Sequence, residues 1–110
     1  MYPIGSNGAS QAILDARQLA YELCGGDVDA ALARYEEIRR PATSRLVLLN
    51  RANGPEQVMQ IVHERAPDGF AQVHDAISRA ELEEIAGGYK KAAGFDSETL
   101  NNRPSLSPAR

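Results

Sequence analysis

The sequence predicts a mainly α-helical chain of 110 residues. Apolar residues recur at three- and four-residue spacing through most of the chain, as they do on one face of a helix. Glycine and proline residues interrupt this pattern, and no segment between them shows the alternation that is typical of a strand. We find no internal repeat. The pattern therefore predicts four helices and a tail, with a helical part at residues 1–95 and an extended tail at 96–110.

The first helix is predicted to begin near Ala9 or Ser10, after a loop rich in glycine, and to end near Cys24. Gly25 and Gly26 stop it, because glycine readily adopts the backbone conformation that ends a helix. Its predicted buried face carries the apolar residues Ala12, Ala16, Leu19 and Leu23, with Ile13 and Ala20 alongside.

The second helix is predicted to begin after Asp27, whose short carboxylate can accept a hydrogen bond from the first turn. Its apolar stripe is Val28, Ala31 or Leu32, Tyr35 and Ile38. Pro41 is expected to break or kink this helix, because proline lacks the N–H and clashes with the preceding turn. The helical pattern then resumes and continues to Asn50.

Two further helices follow. Pro55 suits the first position of a third helix that ends before Pro67. Residues 67–77 are predicted to form a loop. Ser78 and Glu81 have the spacing of a capping box, in which each side chain accepts from the other's backbone N–H, and so they open a fourth helix. The polar residues from 96 to 110, which include Pro104 and Pro108, predict the extended tail.

Composition limits the function classes. The net charge of −3 argues against nucleic acid or an anionic membrane as a partner, because both require clustered Lys and Arg. The one cysteine cannot form an internal disulfide, which is consistent with a reducing, cytoplasmic setting. No apolar run approaches the ~20 residues that span a bilayer, and no signal peptide is visible. We expect a cytoplasmic chain without membrane contact.

The loop before the first helix could bind an electron-rich group. The first turn of a helix leaves about four backbone N–H groups without partners, and the helix dipole adds positive charge there. Gly5 and Gly8 let a ligand approach the main chain without a Cβ in the way. Glycine-rich helix starts are nevertheless common, and most are only turns, so this pattern alone leaves both interpretations open.

The residues from Met1 to Arg17 resemble the segment that ends the FAD-binding part of the flavin-dependent aromatic hydroxylases. Pro3, Gly5 and Gly8 match the Pro-x-Gly-x-x-Gly loop of that family, and Asp15-Ala16 matches a pair in the helix after it. The sequence resembles the para-hydroxybenzoate and salicylate hydroxylase-like group of this family. Within that group it most resembles the phenazine monooxygenase type. The resemblance implies the C-terminal helical segment of an α/β FAD/NAD(P)-binding monooxygenase fold.

The resemblance also implies the site. Pro3 would lie against the isoalloxazine ring, and the amides of Gly8, Ala9 and Ser10 would face the N1–C2=O edge of FAD, with Gly5 completing the loop. The full-length enzyme would hydroxylate a small aromatic substrate with NAD(P)H and O2. This chain lacks the Gly-x-Gly-x-x-Gly motif that holds the ADP part of FAD. We therefore expect the missing N-terminal FAD-domain portion as its partner, and no activity of the chain alone. The sequence leaves open whether the protein forms a homo-oligomer.

The other candidate residues favour structural roles. His63 and His74 lie eleven residues apart with no nearby cysteine or carboxylate pattern, so they do not predict a metal site. Asp15 could act as an acid or base, but pairing with an Arg of another segment is the favoured interpretation. Cys24 is predicted to be a small buried residue. Tyr2 could line a substrate pocket beside the flavin. We predict no catalytic residue in this chain.

The basic residues Arg39, Arg40 and Arg45 could bind a cofactor phosphate. Because Glu36 and Glu37 lie beside them, a solvated and mutually paired face is the favoured interpretation. Two functions compete with the monooxygenase. One is a free-standing helical protein-interaction module without catalytic activity. The other is a small protein that binds a phosphate ligand at the same helix start, which is disfavoured because no Lys or metal site lies beside the loop.

Overall fold

The computed structural model describes residues 1–107 and contains no strand in that range. The helices are α1 (Gly8–Leu23), α2 (Val28–Arg51), α3 (Gln57–Arg65), α4 (Val73–Ala76), α5 (Arg79–Ala93) and α6 (Ser97–Asn102), and the 3₁₀ turns are Ile4–Ser6 and Gly54–Glu56. The predicted mainly α fold is confirmed. Within the described residues, no helix is long and apolar enough to cross a membrane.

The molecule is elongated. It measures 61 × 26 × 17 Å and has a radius of gyration of 18.2 Å, against roughly 13 Å for a compact domain of about this length. The buried apolar residues are few: Ala31, Leu46, Ala76, Ile77 and Ala93. Much of the apolar surface of the described residues therefore remains uncovered.

The sequence predicts that Pro41 breaks or kinks the second helix. Helix α2 continues through Pro41, so the break is wrong. Proline removes the hydrogen bond that would reach the carbonyl of Glu37, but both residues are exposed, and water can satisfy that carbonyl. The Thr43 hydroxyl donates to the carbonyl of Arg39 at 3.0 Å. The helix therefore tolerates the proline on its solvent side.

Two predicted helix caps are confirmed, at Asp27 and at Ser78 with Glu81. The Asp27 carboxylate accepts a hydrogen bond from Ala30 N–H at 3.1 Å and caps α2. Ser78 and Glu81 form both halves of the capping box of α5. The predicted place of Pro55 at the first position of the third helix is wrong, because Pro55 lies in the 3₁₀ turn Gly54–Glu56 and α3 begins directly after that turn, at Gln57.

Two short helices lie where the sequence predicts irregular structure. Helix α4 forms a single turn within the predicted loop 67–77, closed by a capping box between Gln72 and Asp75. Helix α6 lies in the predicted extended tail, because the Asp96 carboxylate accepts from Thr99 N–H at 3.0 Å and nucleates a turn. The extended prediction is wrong for 97–102, and its last residues, 108–110, lie outside the described range.

Helix α1 buries a different face from the predicted one. Its buried residues are Gln11, Gln18 and Glu22, whereas Ile13 is 69% exposed. Ala12, Ala16, Ala20 and Leu23 are also exposed, and Leu19 is half-buried. The reason is electrostatic: arginines of α2 pair with the polar face of α1. Cys24 is exposed, and its thiol donates to the carbonyl of Ala20 at 3.3 Å, so its predicted burial is also wrong.

Glu81 makes the stability of the fold depend on pH in the acid range. Its pKa falls from 4.5 to about 2, chiefly because Arg65 donates a hydrogen bond to the carboxylate, helped by the N–H and hydroxyl of Ser78. A carboxyl whose pKa is lower in the folded state stabilises the fold above its unfolded pKa. We expect this contribution to be present above pH 4.5 and to be lost as the pH falls towards 2.

Chemical unfolding between these pH values tests this expectation. The difference in unfolding free energy between the wild type and Glu81→Gln should shrink as the pH falls. Glu64→Gln is the matched control, because Glu64 is exposed and accepts only from Gln60 within its own helix. A difference in unfolding free energy between the wild type and Glu81→Gln that does not change with pH would contradict the lowered pKa of Glu81.

Candidate functional site

The loop before α1 has an unusual backbone. Pro3 is exposed and precedes the 3₁₀ turn Ile4–Ser6, in which Ser6 N–H donates to the carbonyl of Pro3 at 3.1 Å. Gly5 has φ of +74° and Ser6 has φ of +50°. Residues with a side chain rarely adopt such φ values, so the loop has a backbone conformation that few residues tolerate. Helix α1 then begins at Gly8, slightly earlier than predicted.

The start of α1 is open. The first hydrogen bond of the helix joins Gln11 N–H to the carbonyl of Asn7 at 2.9 Å. The Asn7 side chain does not cap the helix, and none of the amides of Gly8, Ala9 and Ser10 has a partner among the described residues. Gly8 and Ala9 are exposed, and a Cβ added to Gly8 would meet nothing within 4 Å. These amides are free to donate to an electron-rich ligand oxygen.

Glycine is required at position 5 for a second reason. A Cβ added to Gly5 would overlap the hydroxyl of Tyr89, which reaches over from α5. On the other side, Gly5 N–H donates to Oε1 of Glu56 at 3.0 Å. The loop is therefore held between α5 and the 3₁₀ turn before α3.

Asn50 connects these contacts. It is 1% exposed, and its Oδ1 accepts from the Tyr89 hydroxyl at 2.7 Å. Its Nδ2 lies 3.5 Å from the carbonyl of Tyr2, at the limit of a hydrogen bond. Gly54 lies beside them, because an added Cβ would be 3.1 Å from Cε2 of Tyr89. Helices α2 and α5 and the turn Gly54–Glu56 thus converge on residues 2–5.

Sequence reasoning missed the roles of Asn50, Glu56 and Tyr89. Tyr89 follows Ile85 at the four-residue spacing of a helix face, but such spacing does not identify the neighbour of a buried residue. Gly54-Pro55 has the composition of a turn, but only the structure places that turn beside the loop. No pattern in the sequence indicated which polar side chain would meet Gly5.

A polar network joins the same loop region to α2. Arg39 donates from Nε to Asp15 at 2.6 Å and from Nη2 to Oε1 of Gln11 at 2.7 Å. Gln11 in turn donates to the carbonyl of Ala93 at 3.2 Å. The predicted pairing of Asp15 with an Arg of another segment is confirmed. Because Arg39 points into this network, it does not contribute to an exposed basic face.

A second ion pair holds the far end of α1. Glu22 accepts from Arg34 at 2.7 Å and from Gln18 at 2.8 Å. The Arg34 hydrogen bond lowers the pKa of Glu22, against the opposing effect of burial. Together with Asp15 and Arg39, this pair explains why α1 turns its polar face towards α2.

The side chains of the remaining candidates form no hydrogen bond to Asn50, Glu56 or Tyr89 in the described part of the chain. Arg40 pairs with Glu36 at 2.8 Å, four residues away on the exposed side of α2, as the paired interpretation predicts. His63 and His74 belong to no cluster of three or more potential metal ligands in the part of the chain described. Tyr2 is 47% exposed, and its place beside a substrate stays a prediction.

Comparison with known proteins supports the predicted resemblance. The chain is 60% identical over 52 residues to a phenazine 1,6-dicarboxylic acid hydroxylase from Lysobacter antibioticus. The match covers 46% of this chain and 13% of the relative, so the chain spans a small part of the relative's length. No family model matches the chain, and no solved structure gives a significant match. The resemblance to phenazine-type hydroxylases is confirmed at the level of the family.

Proposed function

We propose that this chain is the C-terminal helical segment of a FAD-dependent monooxygenase that hydroxylates an aromatic substrate with NAD(P)H and O2. Its part in that enzyme is the loop and helix start that contact the flavin. The observation that carries the proposal is the exposed, uncapped start of α1 behind the Pro3-x-Gly5-x-x-Gly8 loop. The hydroxylase named above, with which the chain shares 60% identity over 52 residues, supports the same chemistry.

The helix start suits the pyrimidine edge of a flavin. A bound flavin would transfer electrons from the nicotinamide to oxygen. Unpaired amides at a helix N-terminus would stabilise the negative charge that a reduced flavin would carry at N1 and C2=O. In this proposal the amides of Gly8, Ala9 and Ser10 provide these donors, and Pro3 lies against the ring.

The exposed face of α1 supports a larger assembly. Ile13 is 69% exposed, and the small residues Ala9, Ala12, Ala16 and Ala20 lie on the same side of the helix, also exposed. Small side chains let another element approach the helix closely. We assign this face to contact with the missing N-terminal FAD-domain portion. The same face also favours the second candidate, a helical interaction module that binds some other protein and no flavin.

A titration with FAD distinguishes the two functions. We expect the chain by itself to bind FAD weakly, with amide NMR shifts confined to Gly8, Ala9, Ser10 and their neighbours. Gly8→Leu should abolish these shifts and leave the fold intact, because the space around Gly8 is open. Gly87→Leu is the control, since a Cβ at Gly87 also meets nothing within 4 Å. A module without a flavin site should show no difference between the two variants.

Two results would count against parts of this proposal. A purified chain that is yellow at one flavin per molecule would contradict the need for a missing portion. FAD-induced shifts that persist in Gly8→Leu would contradict the assignment of the site to the start of α1.

A further inference from the structure

We infer that Glu56 is a positioning residue for the flavin-contacting loop, an assignment that rests on the proposed function. Glu56 is the last residue of the 3₁₀ turn Gly54–Glu56. Its Oε1 accepts the Gly5 N–H at 3.0 Å, across 51 positions of sequence. The turn that precedes α3 thereby holds the loop that precedes α1.

The loop needs such a contact. Gly5 and Ser6 are consecutive residues with φ of +74° and +50°, and serine seldom adopts a left-handed backbone. A conformation of this kind persists only where surrounding groups hold it. Ser6 and Asn7 are the last residues before α1, so the orientation of the Gly5 peptide decides how the chain enters the helix.

The two sides of Gly5 are held differently. Glu56 accepts the N–H, and the Tyr89 hydroxyl occupies the space where a side chain would be. Tyr89 is itself fixed by its hydrogen bond to Asn50. The loop therefore cannot rotate freely about Gly5 while both contacts are present.

Glu56 acts through the loop and not on a ligand. Its Oε1 is used by Gly5, and its Oε2 is enclosed, with no hydrogen-bond partner among the described residues. An enclosed carboxylate oxygen without a partner is costly. The role that we assign to Glu56 is to fix the direction of the free amides at Gly8, Ala9 and Ser10.

The test measures the loop in the 110-residue chain without flavin. In Glu56→Ala and Glu56→Asp we expect the Gly5 amide to exchange with solvent roughly tenfold faster or more, because its charged acceptor is removed or withdrawn. The coupling between the amide and α protons of Ser6, and the amide shifts of Gly8 to Ser10, should change as well. Glu56→Gln should restore all three measurements, since its amide oxygen also accepts from Gly5.

Glu64→Ala is the matched control, because Glu64 is an exposed residue of α3. A merely stabilising role would lower the unfolding midpoint and leave the Ser6 coupling of the folded molecules unchanged. Unchanged coupling and unchanged Gly8 to Ser10 shifts in folded Glu56→Asp would overturn the inference. If Glu56→Ala does not fold, the comparison of Glu56→Asp with Glu56→Gln still decides it.

A second arm adds FAD and separates this inference from the proposed function. In Glu56→Asp, the FAD-induced shifts at Gly8, Ala9 and Ser10 should be smaller than in the wild type. If FAD shifts none of these amides in the wild type, while Glu56→Asp still alters the Ser6 coupling, the flavin assignment fails and the positioning role of Glu56 stands.

Discussion

Gly5→Ala is expected to destabilise the fold by about 2–5 kcal/mol. The left-handed backbone of Gly5, with φ of +74°, costs a residue with a side chain about 1–2 kcal/mol. The new methyl group would also overlap the Tyr89 hydroxyl, and overpacking of this kind costs about 1–3 kcal/mol. Urea unfolding followed by circular dichroism measures the sum.

Gly8→Ala provides the matched control for Gly5→Ala. Gly8 opens α1, its surroundings are open, and its φ is not in the left-handed region. Its effect on stability should therefore lie within about 0.5 kcal/mol. The steric part can be isolated by making Gly5→Ala in a Tyr89→Ala background, where a coupling of about 1–3 kcal/mol is expected. Strict additivity would show that Tyr89 does not lie over Gly5.

Arg39→Met is expected to cost about 1.5–3 kcal/mol, the range for removal of a hydrogen-bonding partner from charged groups. The side chain is 13% exposed and donates to both Asp15 and Gln11. Without it, these acceptors on α1 face α2 with no donor, because methionine supplies only apolar surface. The same unfolding measurement, with α1 amide exchange as a local probe, checks this result.

Arg40→Met separates this network from an ordinary surface pair. Arg40 and Glu36 are both exposed, and such pairs contribute only about 0–0.5 kcal/mol. The two substitutions remove the same charge and add the same side chain at adjacent positions. Equal effects at Arg39 and Arg40 would contradict the role of Arg39 in joining α1 to α2.

The contacts of Glu56, Asn50 and Tyr89 and those of Arg39 together fix both sides of the start of α1. Glu56, Asn50 and Tyr89 hold the loop from one side, and Arg39 holds the first turns of α1 through Gln11 and Asp15. The helix start between these anchors has free amides and open space. A donor site whose supports are already in place loses little freedom when a ligand binds, which favours affinity.

Local sequence chemistry determined much of this protein. Helical spacing, the cap at Asp27 and the capping box of Ser78 and Glu81 act within a few residues, so they could be predicted without any tertiary contact. The same holds for the glycine loop before α1, because backbone freedom and unpaired first-turn amides are local properties. The family resemblance is also local, because it rests on the consecutive residues from Met1 to Arg17.

The tertiary structure alone decided which face of α1 is buried and what holds the loop. Apolar periodicity indicates a face that favours burial, but Glu22 and Asp15 found arginines on α2, and their pairing turned Ile13 outwards. Gly5 meets Glu56 across 51 positions, a contact that no local pattern encodes. Ion pairs and long-range hydrogen bonds depend on which groups the fold brings together, and that is where sequence periodicity ceases to predict.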